Sequence, residues 1–229
     1  MRAIACAFLF LVGVCTWALA WPPFSIATLG GRVANVAFTA SGTTNSGTYS
    51  FGTAASNRVI AVGVALTAGA ATTITGVTIG GISATRRAQQ NVVAGDWVEI
   101  WTAPVPLNGS GTVTVTASST INALGIAVYA LRNVVETPTA TLTTTSTSGS
   151  LAIGNGGVAV AAAMNVVIGG STYTWGADLT EDSDFNAGAT TQQMSTASRG
   201  PPVTAQTLTV SATASNPNSK GLVAAAWSP

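Results

Sequence analysis

Apolar and polar positions alternate residue by residue in several stretches of the chain. "TVTVTA" (112–117) and "TLTVSAT" (207–213) place Val, Leu or Ala on one face and Thr or Ser on the other. That period is the signature of a half-exposed β-strand. Four other runs are almost wholly apolar: "VIAVGVAL" (59–66), "LGIAVYAL" (124–131), "GVAVAAAM" (157–164) and "GLVAAAWS" (221–228). Runs of this length suit strands covered on both faces. Strands are expected at 34–40, 48–51, 58–66, 73–79, 87–92, 96–102, 112–117, 124–131, 140–145, 157–164, 173–175, 192–197, 208–213 and 222–228. Gly, Asn, Ser and Pro punctuate them. No helical period runs over three turns beyond the N-terminal segment. The expected class is all-β, an antiparallel, jelly-roll-like β-sandwich.

The order of strand types repeats. An apolar run, a short strand, a polar stretch, "VEIWTA", "TVTVTA" and "LGIAVYAL" are followed by "GVAVAAAM", "YTWGA", a polar stretch, "QQMSTA", "TLTVSAT" and "GLVAAAWS". Val113 aligns with Leu208 and Gly125 with Gly221. A degenerate duplication of 58–132 and 157–228 is therefore expected. One sandwich of two sheets and two sandwiches in tandem both fit. A single domain over 33–229 is the expectation, because each half is short of large apolar side chains.

Segment 1–20 is apolar behind a single Arg2 and ends in Ala18-Leu19-Ala20. It reads as a signal peptide or as a hydrophobic N-terminal arm, helical if retained. An uncleaved anchor and a true start at Val33 are the other readings. No stable membrane span is expected, since the apolar run is at the short limit.

Composition mainly removes functions. Only 7% of the 229 residues are charged and the formal net charge is +1. Such a chain has no basic stripe for nucleic acid. It contains no His, and its two cysteines, Cys6 and Cys15, both lie in the N-terminal run. The usual general base, thiol nucleophile and zinc ligands are thus missing from the body. No enzymatic activity is expected.

Two clusters remain as candidate sites. "AGDWVEIWTAP" (94–104) sets Asp96 and Glu99 among two tryptophans. Alternation sends Asp96, Val98 and Ile100 to one face and Trp97, Glu99 and Trp101 to the other. The two carboxylates then point apart and cannot flank one glycosidic bond. The stripe Trp97, Glu99, Trp101 is a candidate ligand platform for a sugar, or else a packed face of the sheet, and the packed face is the expectation. The second cluster is "DLTEDSDFNAG" (178–188), read as a loop. Asp182, Asp184 and Asn186 have the spacing of a calcium loop, although Ala187 and Gln193 replace its turn Gly and its bidentate Glu. Its other readings are a solvated loop or a partner for Arg86 and Arg87. Otherwise no cofactor is expected.

"TASGTTNSGTYSFGTAASNRVIAVGVAL", "TGVTIGGISAT", "DWVEIWTAPVPLNGSGTVTVTAS" and the terminal "GLVAAAWS" together resemble a group of jelly-roll-like β-sandwich proteins found in tailed phages, in gene-transfer-agent-like particles and among secreted bacterial proteins. The resemblance spans most of 34–228 and carries over no functional residue. It implies a virion structural or surface component, such as a head fibre, decoration or tail protein, that assembles with itself or with other virion subunits. The alternative is a secreted, extracellular carbohydrate-binding or adhesive module that recognises a cell-surface glycan.

Overall fold

A computed structural model describes residues 28–39, 42–69, 71–166, 172–187, 192–201, 204–216 and 219–229, without the side chains of 30–39 and 187. The N-terminal segment 1–20 lies outside these residues. All regular structure among them is β. No helix there is long and apolar enough to cross a membrane.

The strands are β1 (Thr28–Thr39), β2 (Thr44–Ser50), β3 (Arg58–Ala68), β4 (Ile74–Ile79), β5 (Ile82–Ser83), β6 (Thr85–Val93), β7 (Asp96–Pro104), β8 (Ser110–Ala117) and β9 (Ile121–Arg132) in the first half. The second half contains β10 (Ala140–Thr144), β11 (Ser148–Ile153), β12 (Val158–Val166), β13 (Tyr173–Trp175), β14 (Thr180–Ala187), β15 (Gln192–Arg199), β16 (Gln206–Ala214) and β17 (Ser219–Trp227). All the pairings are antiparallel.

Their order exposes the duplication. One five-stranded sheet runs β1-β9-β3-β7-β6 and another runs β10-β17-β12-β15-β14. The correspondence is strand for strand. Two smaller sheets, β2-β8-β4-β5 and β11-β16-β13, correspond over three strands, and the two-residue β5 has no counterpart among the described residues. Each small sheet covers the outer face of its five-stranded partner, through Val113, Val115, Val62 and Ile126 in one half and Leu208, Val210, Ala161 and Ala224 in the other. The inner faces of the two large sheets meet in a third core, where Ala61, Ala127 and Tyr129 oppose Val160, Ala162 and Val223. The sandwich therefore has four layers, where two sheets were expected. The physical reason is side-chain size. Ala and Gly on β12 and β17 let both faces of these strands be covered at ordinary sheet spacing, about 10 Å, without many large side chains.

The apolar runs sit where their pattern requires. In β3, Ile60, Val62, Val64 and Leu66 face the outer core, while Val59, Ala61 and Ala65 face the middle one. In β17, Leu222, Ala224 and Ala226 face out, and Val223, Ala225 and Trp227 face the middle. The alternating strands β8 and β16 lie in the outermost layers and turn their Thr residues toward solvent. In the stack, β6 lies against β10 and β17, and β14 against β1 and β9. A half-turn about an axis along the strands thus exchanges the halves.

Candidate functional site

A two-residue turn, Ala94-Gly95, starts the first cluster by pairing Val93 with Asp96. Gly95 has φ of 85°, and a Cβ there would lie 2.2 Å from the Gly69 carbonyl oxygen. Only glycine fits both the left-handed backbone and the close approach. The turn fixes the register, and β7 then alternates as its sequence requires. Val98 and Ile100 enter the middle core. Trp101 enters the outer core of the first half, with the half-buried Trp97 packed against it.

Glu99 sits between the two tryptophans with 0% of its surface exposed. Its Oε2 accepts from the Trp101 indole N–H at 2.6 Å, and its Oε1 accepts from the Gln89 amide at 2.8 Å. The Arg86 guanidinium comes to 3.5 Å from Oε1 and stacks 5.6 Å from the Trp101 ring centroid. Burial pushes the Glu99 carboxyl up to about 7, against the pull of Trp101, Arg86 and Gln89. Trp97 donates its own indole N–H to the Thr72 carbonyl at 2.6 Å. The three predicted site residues do share one face. That face is covered by protein, and no open indole platform is presented. Asp96 is buried on the opposite face, and burial raises its carboxyl against the pull of hydrogen bonds from Thr67 and the Ala68 backbone.

The second half builds the equivalent place differently. Ser195 occupies the Glu99 position in β15, as the registers Val64 to Glu99 and Ala163 to Ser195 require. Trp175, from β13, donates to Ser195 Oγ at 2.7 Å, and Ser195 donates on to the Ser183 carbonyl. An indole N–H therefore meets an oxygen in both halves, but only the first uses a carboxylate.

The stretch expected as a loop is instead strand β14, with a bulge between Glu181 and Ser183. Burying Phe185 against the middle core makes it a strand despite its acidic residues. Asp182 accepts the Tyr129 hydroxyl at 2.9 Å, and Asp184 accepts the Tyr173 backbone N–H at 2.7 Å. Asn186 is exposed at the strand's far end. Among the described residues no group of three His, Cys, Asp or Glu is disposed to hold a metal. Arg86 and Arg87 bond within their own half, Arg87 to Glu136 and Thr102.

Alternation along β7 does not reveal Gln89 and Arg86 as partners of Glu99. Their signal was cross-strand register, which alternation within one strand does not supply. Nor does alternation single out Arg58, 1% exposed at the start of β3. Its guanidinium donates to the carbonyls of Val105, Phe51, Gly52, Thr53 and Asn108. It pins two loops at one end of the first half. No nucleophile beside a general base occurs among these clusters, so their geometry supports packing and hydrogen bonding.

No family model, curated protein or solved structure matches the chain.

Proposed function

We propose that the chain is a non-enzymatic structural or surface component of a phage-like particle, a head fibre, decoration or tail protein that works as an oligomer. The observation that carries this reading is the four-layer stack itself. Two equivalent halves share one apolar core, and each outer layer offers solvent a face of Thr and Ser hydroxyls. Such a body is densely cored, with three buried apolar clusters among the described residues. It suits a building block better than a catalyst. The resemblance to particle proteins points the same way. Density-gradient fractionation of particles, with an antibody to this chain, tests the proposal. The chain is expected to band with intact particles. Recovery only as free protein in the medium would contradict it.

One observation favours a second reading, a secreted carbohydrate-binding or adhesive module. An indole and a carboxylate stand side by side in Trp101 and Glu99, a pair chemically suited to a sugar ring and its hydroxyls, and the exposed Arg86 side chain is among the groups that cover them. A glycan array probed with the full chain separates the two readings.

A further inference from the structure

We propose that Arg86, Glu99, Gln89 and Trp101 form a proton-operated latch on edge strand β6, closed over Trp101 when Glu99 is ionised and released when Glu99 takes up a proton. The inference goes beyond either functional reading and holds under both.

The geometry supplies two states. In the closed state Glu99 accepts from the Gln89 amide and the Trp101 indole, and Arg86 balances its charge. Arg86 is the one exposed member. Its side chain is 40% exposed, it belongs to an edge strand, and the ladder is irregular between Arg86 and Ala88. The other three are held by the core or by the carboxylate. A proton on Oε1 turns that oxygen into a donor. Rotating the Gln89 amide about its last bond then presents a carbonyl oxygen to accept it. The neutral form is therefore also satisfied, and neither state strands a buried polar group. What the proton removes is the attraction for Arg86. The guanidinium then keeps only its stacking on an indole, a small interaction for an exposed side chain, and solvent competes for it.

Arg86 is the charged group that faces Glu99. On β7 itself Asp96 points to the opposite face. The neighbouring β3 presents Val64 at the Glu99 register, and the covering strands β4 and β5 are "ITGVTI" and "IS", without a titratable side chain. On β6, Arg87 is engaged with Glu136 and Thr102. With a single charged neighbour, the latch responds to one proton. Burial places that proton's equilibrium near neutral pH.

Acrylamide quenching of tryptophan fluorescence on the full chain, from acid to alkaline pH, tests this. In the wild type, quenching is expected to rise as pH falls through about 7. In Glu99→Gln it should stay at the high, acid level throughout. Arg86→Gln, a change at an exposed side chain, should also be high and flat, and circular dichroism checks that each variant is folded. Trp101→Phe should abolish the transition, which identifies the reporter. A wild type whose quenching is flat across neutrality overturns the latch. So does a transition that persists unchanged in Glu99→Gln or in Trp101→Phe.

Discussion

Gly125 in β9 and Gly221 in β17 occupy equivalent positions, and each lies under the edge strand of the opposite half and its neighbour. A Cβ on Gly125 would meet Phe185 and Met194, from β14 and β15. A Cβ on Gly221 would meet Val92, Gln90 and Val98, from β6 and β7. The contacts are reciprocal, as in an isologous dimer interface, but here both sides belong to one chain. The two glycines let the inner sheets close on each other.

These positions predict an asymmetric response to added volume. At Gly125 the nearest atoms, 2.7 Å and 3.0 Å away, are the ring edge of Phe185 and the sulfur of Met194, which can shift. At Gly221 the nearest is a methyl of Val92 at 2.8 Å, on a stiff β-branched side chain. Gly221→Ala should therefore cost about 1–3 kcal/mol by overpacking. Gly125→Ala should cost less, because the Phe185 ring and the Met194 side chain can move aside. The midpoints of urea unfolding curves check the order.

Arg58 predicts a larger loss. Removing its guanidinium takes its donors from the carbonyls of the buried Phe51 and Val105, at about 1–3 kcal/mol for each one stranded. Arg58→Met should lower stability by at least about 3 kcal/mol. Arg58→Lys should recover only part of this, since an ammonium cannot match the planar fork. Hydrogen exchange should also quicken around Thr53 and Asn108, whose carbonyls it holds.

Much of this fold was legible in the periodicity. The apolar runs at β3, β9, β12 and β17 are central strands because their sequence fits two covered faces, and β8 and β16 are half-exposed because theirs alternates. Strands β11 and β14 were not legible. "SGSLAI" offers only Leu151 and Ile153 to the core, and "TEDSDFNA" hides a strand among acidic residues. Tertiary packing, through Leu151 and Phe185, overrides their local composition. At the candidate site the alternation of Trp97, Glu99 and Trp101 was readable. The identity of what covers them depends on register with β6, which a single strand does not encode.

Stability should depend on pH through Glu99. Its folded value, about 7, lies above the ordinary 4.5. Between these values the folded state keeps a proton that the unfolded chain has released, so stability falls as pH rises. The contribution is full below about 4.5 and lost by about 7, with an amplitude on the order of 3 kcal/mol. Asp96, also raised by burial, slopes the same way. Glu99→Gln should flatten most of this slope in melting curves taken at successive pH values.

Chelation should leave the melting temperature unchanged. The Asp182 and Asp184 carboxylates already accept hydrogen bonds from Tyr129 and Tyr173. A drop of several degrees in EDTA, restored by calcium, would return Asp182, Asp184 and Asn186 to the role of cation ligands.

The account rests most heavily on the claim that the tryptophan and carboxylate stripe is fabric of the sandwich. The most direct measurement is the stability and glycan-array profile of the Trp97→Ala, Trp101→Ala double variant beside the wild type. Trp101 is buried in the outer core and Trp97 packs against it. The predicted result is a loss of at least about 3–5 kcal/mol, the range for a large aromatic cut to Ala, with no glycan signal in the wild type to lose. A double variant as stable as the wild type that has lost binding to a defined glycan would contradict it.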